Sequence, residues 1–520
     1  MAMILDVPEE IHLLIAEHLN TRAIYSCIRT CRSFYRSFVP RLWSDLTVKQ
    51  YKREPINAEL VRANTHLVEA ISYSSTLTHD YYTIVYPRLH TLRLDTFYEE
   101  EKEPTYLQVT PLQKVEFARH HPTVRKLIYH HKDTLPREFW EVVETEWKEL
   151  ESLEMFGNVE ADSVDSFWRV CDRAKTLYFS DLNFSESVPI LSTLSFRYLQ
   201  DLRIKIYPWQ KRISHRTWPL QLLEQVRRSE RLRRLAWNVD DVAFPARIIM
   251  DALAEGCWPD LQQLTIGDAT CSDQDLAGVL GAVTSRRLTA FEYAKGKLGP
   301  LTYNCLRERY FGYLKDLNIG RCTGVTSAMA QEILMECTQL VDFDAPHIFV
   351  RDIVKASKPW GCTKIQTLVV YIAKQPDDEA GWDGLVFEQI SKLRWLQSLD
   401  LQRDPHCSYF DEESRPEEIT NLETLDLRLG VRFKAVANDN SRGNERDGVA
   451  DIRCWSSLVQ LRELSFDGDR QTLGIEELVW MTEHWRDLWC VCGGFKGIAS
   501  AEDCARRDRL CHQSGLWIFD

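Results

Sequence analysis

Residues 325–345 read VTSAMAQEILMECTQLVDFDA, and this stretch holds one complete unit of a pattern that recurs along the chain. Its first part carries apolar residues at helical spacing, at Val325, Met329, Ile333, Leu334 and Cys337. Its second part, Leu340-x-x-Phe343-x-Ala345, alternates with period two, as a half-buried strand does. The stretch therefore predicts one helix followed by one strand.

The strand part of this unit, apolar-x-x-apolar-x-apolar, returns at intervals of about 26 residues from Leu89 onward. We number its positions one to six. Copies with leucine at positions one and four begin at Leu89, Leu150, Leu199, Leu232, Leu261, Leu314, Leu396, Leu422 and Leu461. Looser copies begin at Val124, Ala174, Leu288, Leu340, Ile365 and Trp485. One helix and one strand cannot bury their own apolar faces, so such units must stack on one another.

This repeat resembles the leucine-rich repeat in its longer, helix-containing form. The resemblance covers about Leu89 to the C-terminus and implies an α/β fold: a curved solenoid with parallel strands on the concave side and helices on the convex side. An ordinary α/β domain is the alternative, although such domains rarely keep a constant period.

Composition limits the possible partners. The chain has 520 residues, of which 44% are hydrophobic, with a formal net charge of −13. Its negative charge argues against nucleic acid or an anionic membrane as a partner. No apolar run is long enough to predict a membrane span, and MAMILDVPEE lacks the basic region of a secretory signal. The 15 scattered cysteines favour a reducing, intracellular compartment, cytoplasmic or nuclear.

The first 46 residues form a second informative region, with two apolar stripes at helical spacing. Pro8 suits the first turn of a helix. The first stripe contains Ile11, Leu14, Ile15 and Leu19, and the second contains Ile24, Cys27, Ile28, Cys31, Tyr35 and Phe38. We expect Pro40 to end the second stripe. Two or three such short helices bury little apolar surface by themselves, so contact with a partner would stabilise them.

This head resembles the F-box motif. The motif positions are taken by Pro8, Glu10, Ile11, Ile15, Leu19, Cys31, Arg32, Phe34 and Trp43. Ala23-Ile24 stands where the family usually has Asp-Leu, Thr30 replaces a valine, and Phe34 replaces a tryptophan. The alternative is a helical cap for the solenoid, which the end of a repeat stack requires.

Together the two resemblances imply a substrate receptor of an SCF-type ubiquitin ligase. The F-box would bind a SKP-type adaptor, which joins a cullin scaffold and its RING subunit, while the repeats bind an unknown protein target. Adaptor binding is implied for Leu5, Pro8, Ile11, Ile15, Leu19, Ile24, Cys31, Phe34 and Trp43. The chain would then supply proximity and no chemistry. A non-catalytic leucine-rich-repeat scaffold, whose head only caps the solenoid, is the alternative.

Motifs of enzymes and metal sites are not found in the sequence. It lacks the phosphate-binding glycine loop, the dinucleotide fingerprint, the nucleophile elbow and the H-E-x-x-H zinc motif. The tail thiols Cys490, Cys492, Cys504 and Cys511 lack paired C-x-x-C spacing. We therefore expect no catalytic residue, no cofactor and no metal, and we interpret the tail cysteines as buried thiols.

These observations predict four domains: an F-box at 1–49, a linker or N-terminal cap at 50–86, a solenoid of about fifteen repeats at 87–490, and a C-terminal cap at 491–520. Ala58 to Ala70 could form one helix within the linker.

Strand alternation also predicts where a target binds. Positions four and six face the core, so positions three, five and seven face the concave side. We expect this face to carry mixed charges in the early repeats and acidic charges in the later ones. The predicted target-binding residues are Ile128, Phe156, Tyr178, Arg203, Lys205, Asp400, Asp426 and Asp467. A register error of one residue would exchange the two faces.

Overall fold

The protein, analysed as a computed structural model, divides into two compact units, Met1–Asp240 with Glu255–Asp260 and Asp241–Ala254 with Leu261–Asp520. The structure describes residues 7–19, 21–48, 57–74, 79–95, 110–131, 133–184, 193–206, 217–239, 243–267, 270–283, 288–294, 296–374, 382–401, 423–424, 452–465, 474–493, 498 and 500–519. A helical head is followed by repeated parallel strands and helices. This arrangement confirms the predicted fold class.

The chain begins with three short helices, α1 (Glu9–Glu17), α2 (Thr21–Ile28) and α3 (Arg32–Ser44). The backbone of Pro8 is extended (φ −52°, ψ 149°) and caps α1. Cys31 caps α3, where its Sγ accepts a hydrogen bond from the amide of Phe34 at 3.5 Å. Pro40 lies inside α3 and does not end the stripe, contrary to the sequence prediction. A proline inside a helix removes one hydrogen bond, and here the loss falls on the carbonyl of the exposed residue Arg36.

Parallel strands form the sheet of the first unit. They are β1 (Asp45–Val48), β2 (Ala70–Ser74), β3 (Thr91–Asp95), β4 (Lys126–His130), β5 (Ser152–Val159), β6 (Thr176–Phe184), β7 (Asp201–Ile206) and β8 (Arg234–Val239). Each strand pairs with the next one in chain order. Because β1 and β2 precede residue 87, the strands begin upstream of the predicted start of the solenoid.

The second unit continues the same pattern. Its strands are β9 (Gln263–Ile266), β10 (Ala290–Tyr293), β11 (Asp316–Asn318), β12 (Asp342–Phe349), β13 (Thr367–Lys374), β14 (Ser398–Asp400), β15 (Glu423–Thr424), β16 (Glu463–Ser465), β17 (Cys490–Cys492) and β18 (Trp517–Phe519). They pair in parallel and in chain order, except that β15 pairs antiparallel with the end of β13. As a result, β14 pairs directly with β16.

The position-four residues face one another across neighbouring strands. In the first unit they are Leu92, Leu127, Leu153, Leu177, Leu202 and Leu235. In the second they are Leu264, Phe291, Leu317, Phe343, Leu368, Leu399, Leu464 and Val491. All of these side chains are at most 1% exposed. This ladder confirms the predicted register at every one of these positions except Val491.

Two predicted copies of the signature differ from the ladder. Val491 pairs with Leu464, so Val491 holds position four and Leu488 holds position one. Trp485, the predicted position one of this copy, is instead the buried C-cap of the preceding helix. Leu425 lies outside the described residues, and its copy contributes no parallel strand between β14 and β16.

Helices connect most of the strands. In the first unit they are α4 (Ala58–Ala63), α5 (His79–Tyr82), α6 (Pro111–His120), α7 (Arg137–Glu146), α8 (Val164–Arg173) and α9 (Trp218–Val226). In the second they are α10 (Ala246–Ala254), α11 (Asp273–Ala282), α12 (Pro300–Arg309), α13 (Ser327–Glu336), α14 (Val350–Val354), α15 (Trp382–Ser391), α16 (Ile475–His484) and α17 (Ala501–Ser514). In α13, Thr326 accepts a hydrogen bond from the amide of Met329 at 3.2 Å and so fixes the helix start. The predicted helix from Ala58 to Ala70 ends at Ala63, with Asn64 as its C-cap, and a 3-10 turn at Thr65–Leu67 precedes β2.

Aromatic side chains join consecutive repeats at the ends of their helices. The indole of Trp147 donates to the carbonyl of Ala118 at 2.9 Å, and that of Trp258 donates to Val226 at 3.0 Å. The Tyr310 hydroxyl donates to Leu280 at 2.5 Å in the same way. The last carbonyls of a helix have no partner inside it. These bonds, which we call inter-repeat caps, come from the following repeat. The carbonyls of Ala118 and Val226 also accept the amides of His121 and Ser229, so the cap is a second bond at those two carbonyls.

Candidate protein-interaction surfaces

The head has a small core of its own. Ala16, Ile24 and Phe38 are buried there, one from each helix. His12 is 2% exposed, its ring lies edge-on to Phe34 with ring centroids 5.4 Å apart, and its Nδ1 lies 3.3 Å from the Ser37 hydroxyl oxygen. The three helices therefore hold one another through a few apolar contacts and one buried polar pair.

Several large apolar side chains of the same head remain at the surface. The exposed fraction is 42% for Ile11, 52% for Leu14, 54% for Tyr25 and 55% for Tyr35. Ile11 and Leu14 are three residues apart on α1, so they share one face of that helix. Exposed apolar side chains concentrated on one small domain are typical of a protein-binding surface.

The strand face, defined by positions three, five and seven of the signature, carries mixed side chains in the first unit. Position five runs through Arg93, Ile128, Glu154, Tyr178 and Arg203 on consecutive strands. Tyr178 is half-buried, as is Phe156 at position seven. These two aromatic side chains are therefore partly accessible from the strand side of the sheet.

Ion pairs organise the charges on this part of the strand face. Asp201 lies 2.7 Å from the guanidinium of Arg203 and 3.6 Å from that of Arg234. His130 Nε2 lies 2.9 Å from the Glu154 carboxylate. Burial opposes ionisation of Glu154, but the hydrogen bond from His130 and nearby positive charges outweigh it and lower the pKa of this carboxyl. The two acidic side chains are thus held by basic neighbours.

The strand face of the second unit is acidic. Its carboxylates at positions three and five are Glu292, Asp316, Asp342, Asp344, Asp400 and Glu463. Those two positions carry no lysine or arginine on the described parallel strands β9–β14 and β16–β18. Asp316 and Asp342 are direct ladder partners. The sign of charge predicted for the later repeats is therefore present on the described strands.

The head also matches a known family, because residues 4–49 fit the F-box-like family model. This segment is an F-box-like domain. It covers α1 to α3 and β1, and the leucine-rich-repeat strands follow it directly.

Structural similarity is remote. No curated protein matches the sequence. Similar solved structures include an internalin from Listeria monocytogenes, with 11% identity, a TM-score of 0.36, and 73% of this chain and 87% of that chain covered. A Bacteroides fragilis protein has 12% identity and a TM-score of 0.33, with 52% of this chain and 79% of that chain covered. The yeast Rad7 and Elc1 complex has 15% identity and a TM-score of 0.40, with 70% of this chain and 88% of that chain covered. Because these values are low, the leucine-rich-repeat architecture rests on the strand ladder itself.

The structure distributes the predicted adaptor-binding residues over different environments. Pro8 and Ile11 are exposed, and Leu5 lies outside the described residues. The half-buried ones are Ile15, Leu19, Cys31, Phe34 and Trp43. Ile24 is only 4% exposed, because it belongs to the core of the F-box-like domain, so it is not a surface residue.

Sequence reasoning did not place Leu14, Tyr25 or Tyr35 among the adaptor-binding residues, although all three are more than half exposed. Two of them, Leu14 and Tyr35, lay in the predicted stripes. The apolar stripes of the head are wider than the surface that three short helices can bury. This width would have indicated that some stripe residues stay at the surface.

The predicted target-binding residues also differ in exposure. Ile128 is 6% exposed, although it lies on the strand face, because Arg93 and Glu154 flank it on both neighbouring strands. The half-buried residues are Phe156, Tyr178, Arg203, Lys205 and Asp400. Asp426 and Asp467 lie outside the described residues.

The adjacent histidines His130 and His131 and the tail cysteines have structural roles that can be named. His130 contacts Glu154, while the adjacent His131 contacts Asp133 at 3.3 Å, so the two rings serve different partners. Cys490 and Cys492 are half-buried and not fully buried as predicted, because their strand positions face away from the core. Within the described ranges, no three potential ligands are grouped to hold a metal, and no helix is long and apolar enough to cross a membrane.

Proposed function

We propose that this protein is a substrate-recognition subunit of an SCF-type ubiquitin ligase. In this proposal the F-box-like domain binds a SKP-type adaptor, and the adaptor connects it to a cullin scaffold and a RING subunit. The strand faces of the repeats hold a protein target. The chain itself performs no catalytic step and acts by raising the effective concentration of the target near the ligase.

The observation that carries the proposal is the exposed apolar surface of the F-box-like domain. A domain of this size gains stability when a partner covers such side chains, because each buried apolar side chain contributes about 1.5–3 kcal/mol. Ile11 and Leu14 on α1, with Tyr25 on α2 and Tyr35 on α3, provide this surface. Their exposure leaves them available in the unbound chain.

A second candidate function is a scaffold whose head only caps the repeats. One observation favours it: α3 runs directly into β1, and the amide of Glu69 donates to the Ser44 carbonyl at 2.9 Å. The head therefore also covers the beginning of the strand stack. Capping alone does not use the exposed side chains of α1, and this difference separates the two candidates.

Binding of a purified SKP-type adaptor to the full chain, measured by calorimetry, tests the proposal. Leu14→Asp and Ile11→Asp each place a carboxylate in the proposed apolar contact, so we expect adaptor binding at least about 100-fold weaker than for the wild type. The matched control is Leu112→Asp, because Leu112 on α6 is 68% exposed and lies outside the head. It should bind like the wild type.

The outcomes separate the candidates. If the wild-type chain binds no SKP-type adaptor, the ligase proposal is wrong and the scaffold function remains. Binding that survives both α1 substitutions would show that the adaptor uses another surface. Circular dichroism of each variant checks that the fold is retained, which we expect because both α1 side chains are exposed.

Target binding follows from the charges of the second strand face. An acidic face favours a basic target and steers its approach. Once a target has been found by comparing protein levels with and without residues 1–49, Asp400→Lys should slow its association and weaken its salt dependence. An unchanged association rate would move the binding site to other residues, such as Phe156 and Tyr178 of the first unit.

A further inference from the structure

Two thiols lie side by side near the C-terminal end of the strand ladder. Cys490 and Cys492 are the first and last residues of β17, and their Sγ atoms are 3.7 Å apart. Alternate side chains of a strand point to the same face, and Val491 between them is 0% exposed and faces the core. Both thiols are therefore on the strand face, where they are half-buried.

We propose that Cys490 and Cys492 form a two-thiolate site for a soft, thiophilic metal ion of the zinc group. When the ion binds, two sulfur–metal bonds form and the two thiol protons pass to solvent. This site lies on the strand face of the second unit, and no step of the proposed adaptor or target functions depends on it.

The distance between the two sulfurs fits the coordination geometry. Thiolate sulfur binds Zn²⁺ at about 2.3 Å, so two sulfurs 3.7 Å apart subtend an angle of about 107° at the ion. This is close to the tetrahedral angle that such ions adopt in proteins. The pair is therefore already spaced to chelate an ion, and β17 holds both residues on one rigid element.

The neighbouring strands add charge and shelter. Glu463 is the ladder partner of Cys490 on one side, and Trp517 is its partner on the other. The Glu463 carboxylate places negative charge beside the thiols, which favours a cation there. The side chain of Trp517 is 64% exposed, and both thiols are only half-buried, so solvent reaches the pair.

The described residues also define what kind of site this is. They group no third histidine, cysteine or carboxylate with the pair, and Cys504 and Cys511 on α17 do not join it. Closed structural zinc sites have four protein ligands. A two-ligand site is therefore open and exchangeable, and the fold should not depend on it.

Cadmium titration of the reduced full chain tests the proposal, because thiolate-to-cadmium charge transfer gives an ultraviolet band. Other cysteines contribute a background, so the signal is the difference between wild type and Cys490→Ser/Cys492→Ser. We expect this difference to saturate at one Cd²⁺ per chain. Each single variant should lose the whole difference, because one thiol cannot chelate.

The control is Cys305→Ser, which removes another half-buried thiol and should leave the difference signal unchanged. If each single variant lost half of the difference signal, the two thiols would react independently, and the proposal would be overturned. It would also be overturned if the double variant gave the wild-type band. Phenylarsine oxide, which bridges paired thiols, supplies a test on the unmodified chain: mass analysis should find one arsenical spanning residues 490–492.

Discussion

Leu399 on β14 is the direct ladder partner of Leu464 on β16, although the aligned residues of these two strands are 65 positions apart in sequence. The predicted copy at Leu422, which lies between them in sequence, places no parallel strand between them. The parallel stack is therefore continuous from β14 to β16.

This pairing predicts a measurable coupling. Leu399→Ala and Leu464→Ala should each lower the free energy of unfolding by about 2–5 kcal/mol, because both side chains are 1% exposed. In a double-mutant cycle, we expect an interaction energy of about 0.5–3 kcal/mol from denaturant unfolding. The control pair, Leu399 with Leu264, lies several strands apart and should be additive. Additivity of both pairs would contradict the direct pairing.

Gly157 provides a backbone test in the first unit. Its φ is +124°, and a Cβ built there would lie 2.1 Å from the carbonyl oxygen of His131. Gly157→Ala should therefore lower the free energy of unfolding by more than about 2 kcal/mol, since backbone would have to move. Gly312→Ala is the control, because nothing lies within 4 Å of the added carbon. Equal thermal midpoints for the two variants would disagree with the local geometry.

The inter-repeat caps predict the effect of removing one oxygen atom. Tyr310→Phe deletes the hydroxyl that donates to Leu280 and leaves this buried carbonyl with one hydrogen bond fewer. We expect a loss of about 1–2 kcal/mol in the free energy of unfolding. Tyr313→Phe, at a side chain that is 45% exposed, should change it little. A neutral Tyr310→Phe would show that the cap contributes nothing to stability.

His121 predicts a loss of stability in mild acid. Burial lowers its pKa to about 4, against the opposing hydrogen bond to the Phe117 carbonyl. Between pH of about 6.5 and 4 the unfolded chain therefore binds a proton that the folded chain does not, so stability falls as pH falls. At pH 5 the contribution should be a loss of about 2 kcal/mol relative to pH 7.

His121→Gln should show a smaller pH dependence of the unfolding free energy than the wild type. Part of the dependence should remain, because burial and Lys114 also lower the pKa of His131 to about 4. The control is His512→Gln, which makes the same change at an exposed residue. If His121→Gln and the wild type had the same pH dependence of the unfolding free energy, His121 would not be a source of that dependence.

Sequence periodicity was sufficient to predict the strand register for much of the fold, because the apolar residue at position four has polar neighbours on both sides in most copies. Leu317 and Leu368 were placed from the sequence, and both lie in the ladder. The strands β1 and β2 were missed although Trp43-x-x-Leu46-x-Val48 and Val68-x-x-Ile71-x-Tyr73 carry the same pattern. Residues 43–48 fall within the predicted F-box, and residues 68–73 fall within the predicted linker.

The candidate surfaces were less predictable than the register. Alternation gives the face on which a side chain lies, but exposure also depends on the neighbouring strands, as at Ile128. In the head, helical spacing selected Ile24 and Ile11 alike, yet only Ile11 is exposed. Which stripe residues become core depends on how three short helices cross, and a single sequence does not encode this in its spacing.

The inter-repeat caps also have a consequence for synthesis. The donors Trp147, Trp258 and Tyr310 follow the carbonyls they bind by 29, 32 and 30 residues. During translation at about 5–20 residues per second, each of these helix ends therefore waits about 2–6 seconds for its partner to be made. A newly made repeat therefore leaves the ribosome without its inter-repeat cap, and this hydrogen bond forms only when the next repeat has been made.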